Sequence, residues 1–180
     1  MKRYYAAYGS NLNLEQMKLR CPDAKAIGTA VIEGYELLFK GSKTGSYLTI
    51  EPDIKSQVPV GIFEVSPADE KALDRYEGFP VFYYKKEMKL PVKLANGKTK
   101  KMKVFVYIMD ESRPLGLPTR AYVETCDQGY RDFGFNTKLL DKALERSDVT
   151  YESRKQQAHL SKMPQRVHRL PRSFQKRQQH

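Results

Sequence analysis

The chain has 180 residues, enough for one domain with an ordinary core, and carries a formal net charge of +11. No segment resembles a secretory leader, and no run approaches the roughly 20 apolar residues that a membrane helix needs. Its histidines, His159, His168 and His180, all fall near the C-terminal end, which removes a Ser–His–Asp triad, a Cys–His pair and a histidine-ligated zinc from the core.

Acid–base chemistry near neutral pH is therefore left to a carboxylate, Tyr, Lys or Cys. Cys21 and Cys126 lie far apart without C-x-x-C spacing, so the expected setting is a reducing cytoplasm.

In chain order, Tyr4-Tyr5-Ala6-Ala7-Tyr8 reads as a strand. Asn13, with Gln16 at the capping-box position, reads as the N-cap of a first helix. Ala30–Phe39 and Tyr47–Ile50 are expected strands around a Gly41–Gly45 turn, and Val60–Val65 is another. Ser66-Pro67-Ala68-Asp69 starts a helix with an N-cap serine, proline at the first helical position and an acid at the third. That helix should end at Glu77, before Gly78. Phe82–Leu94 and Thr99–Met109 flank Asn96-Gly97, a strong hairpin signal. Thr119 opens a helix reaching Phe133, and Asn136 caps a last one with an apolar stripe of Leu139, Leu140 and Leu144. Antiparallel strands interrupted by helices predict an α+β domain over residues 1–150 with a curled or barrel-like sheet.

Residues 151–180 form a second region. They carry 8 Lys and Arg against 1 acid, whereas residues 1–150 carry 24 against 20. This Gln-, Arg- and Lys-rich stretch has too few apolar residues to offset the entropy of ordering, so a flexible extension is expected. A solvated tail without a dedicated partner is its plain reading, and electrostatic contact with nucleic acid is the functional one. From Glu152 to His180, Phe174 is the only large aromatic, and the stretch holds no recognised nucleic-acid-binding motif.

Two segments carry candidate chemistry. Tyr8-Gly9-Ser10-Asn11-Leu12 is a polar, glycine-containing loop between a strand and a helix start, where unpaired N–H groups can hold an anion. An ordinary strand-to-helix turn would look the same. Glu77 closes Leu73-Asp74-Arg75-Tyr76-Glu77-Gly78, ahead of the aromatic run Phe79 to Tyr84. Aromatic bulk around a carboxylate desolvates it, raises its pKa and improves it as a general base or acid. A solvated glutamate at a helix end is the alternative.

Together, in this order, Tyr-Gly-Ser-Asn-Leu and Leu-Asp-x-x-Glu-Gly resemble the gamma-glutamylcyclotransferase-like family. A weaker likeness continues through Tyr122, Gly129 and Gly134-Phe135, so that it spans about Tyr4 to Ser147. The resemblance implies a small mixed β-barrel with flanking helices, no metal or organic cofactor, and a small γ-glutamyl substrate. It makes Glu77 the acid–base residue, lets Tyr8, Gly9, Ser10, Asn11 and Leu12 line the pocket, and adds Tyr84 (with Tyr83 beside it) and Tyr122. The implied reaction is attack of the substrate's own α-amino group on its γ-carbonyl, giving 5-oxoproline and a free amine or amino acid. Two other functions stay open at this point: a hydrolase acting on another amide through the same pocket, and a non-catalytic binding protein.

Overall fold

The computed structural model describes residues 1–42 and 44–148, so the basic extension and its expected boundary at 150/151 lie outside the described residues. Five strands form a closed barrel in the order β1-β3-β2-β4-β5: β1 (Arg3–Ala7), β2 (Lys25–Ser42), β3 (Gly45–Val65), β4 (Tyr83–Leu94) and β5 (Thr99–Met109). Four neighbouring pairs are antiparallel, and one parallel bridge, Tyr5 to Phe105, closes the barrel between β1 and β5. The helices are α1 (Leu14–Arg20), α2 (Pro67–Glu77), α3 (Arg120–Asp132) and α4 (Lys138–Ser147). The expected α+β class and mixed barrel are both present. No helix of the described residues is long and apolar enough to cross a membrane.

Tyr47–Ile50 and Val60–Val65, expected as separate strands, are two parts of the 21-residue β3. The reason lies in the register, which passes from Glu33 opposite Gln57 to Tyr35 opposite Pro52. One residue of β2, Gly34 at φ 76°, therefore faces a four-residue protrusion, 53–56, in β3. Asp53 stabilises this protrusion by accepting from the Lys55 N–H and the Ser56 hydroxyl. Polar residues and a proline in mid-strand thus mark a bulge, and the strand continues beyond them.

The caps follow local chemistry. Asn13 Oδ1 accepts from the Gln16 N–H at 3.0 Å. Ser66 and Asp69 form a reciprocal capping box at 3.1 and 3.2 Å, and Gly78 ends α2 at φ 63°. Thr119 caps α3. At α4 the N-cap is Thr137, one residue beyond the expected Asn136, yet Asn136 Oδ1 still accepts from the Lys138 N–H. Replacing Ser66 by Ala removes one half of the box that starts the helix carrying Glu77. We expect a loss of about 1 kcal/mol in denaturant unfolding, read as a lower midpoint at unchanged slope.

The core fills the barrel with Phe39, Ile50, Val60, Ile62, Phe63 and Val104 and extends under the helices through Leu73, Tyr130 and Leu140. α3 lies very close to the 3-10 turn formed by Ser10–Leu12. A Cβ added to Gly129 would sit 2.5 Å from the Asn13 nitrogen and 2.7 Å from the Leu12 carbonyl carbon. This backbone-to-backbone approach places the turn at one end of the barrel, against the end of α2.

Candidate active site

A cavity of about 400 Å³ opens at that end, walled by the loop after β1, the C-terminal turn of α2, and parts of β3, β4, β5 and α3. Seven tyrosines line it, and Glu77 is the only carboxylate in the lining among the described residues.

Tyr8 is buried, and its hydroxyl donates to the Tyr107 carbonyl at 2.6 Å while its own carbonyl accepts from the Tyr130 hydroxyl at 3.1 Å. Two contacts with residues 99 and 122 positions away therefore hold the start of the loop. Gly9, Ser10 and Asn11 face the cavity. Leu12 N–H returns to the Gly9 carbonyl and Asn13 N–H to Ser10, whereas the N–H groups of Gly9, Ser10 and Asn11 meet no protein acceptor among the described residues. Ser10 Oγ shares a hydrogen bond with the Tyr76 hydroxyl at 3.1 Å. Leu12, expected in the pocket, is instead fully buried in the core, where its side chain packs beside Gly61 and Gly129. It anchors the loop from behind.

Glu77 is the last residue of α2, held in place by the left-handed Gly78 that turns the chain away. The Asn11 amide donates to its Oε1 at 3.2 Å and to the Tyr5 hydroxyl at 3.0 Å. Arg20, from the end of α1, donates to Asn11 Oδ1 and lies over the Tyr76 ring, 3.4 Å from its centroid. Burial pushes the Glu77 carboxyl up to about 7, and the nearby Arg20 guanidinium only partly opposes this. Burial also drives Tyr5, Tyr8, Tyr83 and Tyr122 well above the usual phenol value, so each keeps its proton at neutral pH.

Tyr122 reaches the cavity from α3, where its hydroxyl accepts from the Leu48 N–H at 3.1 Å. Tyr84 does not reach it. Its hydroxyl donates to the Glu111 carboxylate outside, and its neighbour Tyr83 lines the cavity and donates to the Leu48 carbonyl at 2.7 Å. Successive strand residues point to opposite faces, so only one of the pair can enter. Tyr5, Tyr107 and Arg20 complete the site and were missed in the sequence. Tyr5 and Tyr107 sit in strands without any local mark, and Arg20 is related to Asn11 only through the fold.

A closed mixed barrel with flanking helices is the architecture of the gamma-glutamyl cyclotransferase fold. The chain belongs to the family described as "Gamma-glutamyl cyclotransferase, AIG2-like", whose model matches residues 5–127. It is similar to a solved gamma-glutamyl cyclotransferase at 26% identity, covering 79% of this chain and 86% of that one, with a TM-score of 0.65. The human protein loc79017 gives 27% identity, the same coverages and the same TM-score. A yeast gamma-glutamyl cyclotransferase specific to glutathione shares the fold at 10% identity and TM-score 0.53, covering 82% of this chain and 97% of that one. No curated protein matches the chain.

Proposed function

We propose that this protein converts a γ-glutamyl amide into 5-oxoproline and a free amine or amino acid, with Glu77 as the general base and then the general acid. Family membership supports the reaction class. The observation that carries the residue-level reading is a carboxyl near pKa 7, facing a cavity whose loop offers three unclaimed N–H groups.

The substrate brings its own nucleophile. The cavity folds it so that the α-amino nitrogen approaches the γ-carbonyl carbon, and such positioning is worth up to roughly 7–11 kcal/mol at ideal geometry. Glu77 takes a proton from the ammonium, the nitrogen attacks, and the γ-carbonyl oxygen gains charge. As the intermediate collapses, Glu77 gives that proton to the leaving nitrogen, the bond to it breaks, and Glu77 then takes the second proton of the new ring nitrogen, which finally departs on the released amine. The N–H groups of Gly9, Ser10 and Asn11 suit the substrate carboxylate, since they present donors without competing protein acceptors.

The test is a panel of γ-glutamyl-amino acids and γ-glutamyl-amines, scored by mass spectrometry for 5-oxoproline. Free glutamate carrying solvent oxygen would identify a hydrolase, and no product across the panel would overturn the reading. Because the base must be ionised, kcat/KM should rise with pH and level off above about 7. A profile flat from pH 5 to pH 8 would remove Glu77 from the role of base.

A further inference from the structure

The proton of one buried tyrosine has no acceptor, and its direction is dictated by a residue outside the cavity. Arg20 is a pure donor, so the Asn11 atom that faces it must be the amide oxygen. The Asn11 NH₂ group is thereby turned toward Glu77 and Tyr5, and both of its hydrogens are committed there. The Tyr5 oxygen accepts one of them. Its own proton must then point elsewhere, and no acceptor among the described residues receives it.

The other buried cavity tyrosines differ, while Tyr47 and Tyr76 in the same lining are exposed. Tyr8 gives its proton to the Tyr107 carbonyl, Tyr83 to the Leu48 carbonyl, and Tyr107 to the Asp74 carboxylate. Tyr122 accepts from the Leu48 N–H on the far wall and hydrogen-bonds to the Cys126 sulfur, whereas Tyr5 shares its Asn11 partner with Glu77. The Tyr5 ring cannot swing away. It is stacked on Phe63 and Phe105 at 6.3 and 5.5 Å and meets the Tyr107 edge at 5.7 Å.

We propose that Tyr5 donates a hydrogen bond to the oxygen of the scissile γ-carbonyl, and that Arg20, acting through Asn11, sets the direction of that proton. The inference rests on the cyclotransferase reading above. When the amine attacks, the carbonyl π electrons move onto oxygen and the Tyr5 hydrogen bond strengthens. When the carbonyl re-forms and the leaving nitrogen departs with the proton from Glu77, Tyr5 still holds its own. Tyr5 is thus a catalytic donor and Arg20 a positioning residue. Groups facing Glu77 from neighbouring elements are Arg20 of α1, Tyr5 of β1, Tyr8 of the loop, Tyr83 of β4, Tyr107 of β5 and Tyr122 of α3. Rates are therefore compared on the high-pH plateau, where the ionisation of Glu77 does not enter.

On the γ-glutamyl amide that the wild type turns over best, Tyr5→Phe should lower kcat by about 100- to 1,000-fold and leave KM within about threefold. Arg20→Met should lower kcat by about 10- to 100-fold, and Arg20→Lys, which keeps a donor-only cation, should restore most of it. The double variant Tyr5→Phe/Arg20→Met should be no slower than Tyr5→Phe alone to within about threefold, because the two act in series. An unimpaired Tyr5→Phe, or multiplicative losses in the double variant, would overturn the inference. Should Tyr5→Phe fail to fold by circular dichroism, 3-fluorotyrosine at position 5 keeps ring and hydroxyl while acidifying the phenol, and an unchanged kcat would overturn it equally. A wild type that releases no 5-oxoproline from any substrate defeats the underlying reading first; an active wild type with an unimpaired variant defeats this inference alone.

Discussion

Replacing Glu77 by Gln should cut 5-oxoproline release by about 1,000-fold and, above pH 7, make the protein more stable. Both effects come from one cause. The folded protein holds the Glu77 carboxyl near 7, against an ordinary value of 4.5, so it binds that proton more tightly than the unfolded chain does. The favourable contribution is complete below about pH 4.5 and is lost progressively as pH rises through 7. At pH 8 the wild type must keep an ionised carboxylate in a tyrosine-lined cavity, whereas the amide carries no such cost. Glu77 is only partly covered, so the gain is on the order of 1–3 kcal/mol, and it should vanish by pH 4. Gln also keeps an oxygen for the Asn11 donor, so the local bonding survives. Denaturant unfolding of both proteins at pH 4 and pH 8 decides the matter. A stability difference that did not change with pH would break the link between burial and basicity, and residual activity near wild type would place the base elsewhere.

Gly129→Ala should destabilise the fold and disable the site at the same time. At an exposed helical position that change stabilises by roughly 0.5–1 kcal/mol, since glycine is the poorer helix former. Here the sign reverses. The added carbon would stand 2.5 Å from the Asn13 nitrogen and 2.8 Å from the Leu12 Cβ, and the nearest obstacle is backbone that cannot rotate away. Overpacking of this kind costs about 1–3 kcal/mol or more, so we expect a clear net loss in unfolding free energy. The strain falls on the residues that follow Asn11. A shift of about 1 Å there moves the amide that bridges Glu77 and Tyr5, enough for a drop of about 100-fold in kcat/KM. Wild-type stability and turnover in this variant would mean that α3 can retreat from the loop without consequence.

Features governed by neighbours in the chain were legible in the sequence. Ser66-Pro67-Ala68-Asp69 specifies its own helix start, and Asn96-Gly97 specifies its hairpin, because each satisfies local donors or a local φ requirement. Glu77 was readable for the same reason: it sits at a helix end marked by glycine. Properties that depend on distant partners were not. β4 is buried at Tyr83 but then at Leu90 and Val92, so its inward phase changes along the strand and no single alternation assigns Tyr83 or Tyr84. Leu12 belongs to a conspicuous polar motif, yet Gly61 and Gly129 provide the space that draws it into the core. Arg20 has no neighbour in the sequence that marks it, since its role arises only when α1 folds back over Tyr76.

The two bonds at Tyr8 also bear on how the protein comes into being at the ribosome. The loop is made before Glu77, and Tyr107 and Tyr130 follow both. A nascent chain released as far as Met109 carries the loop and the carboxylate but lacks Tyr122, Tyr130 and the close packing of Gly129 behind Leu12. The groups proposed to do the chemistry are therefore synthesised before the α3 residues that set them in place. Turnover should begin only when α3 has emerged, which makes activity a report of α3 docking behind the loop.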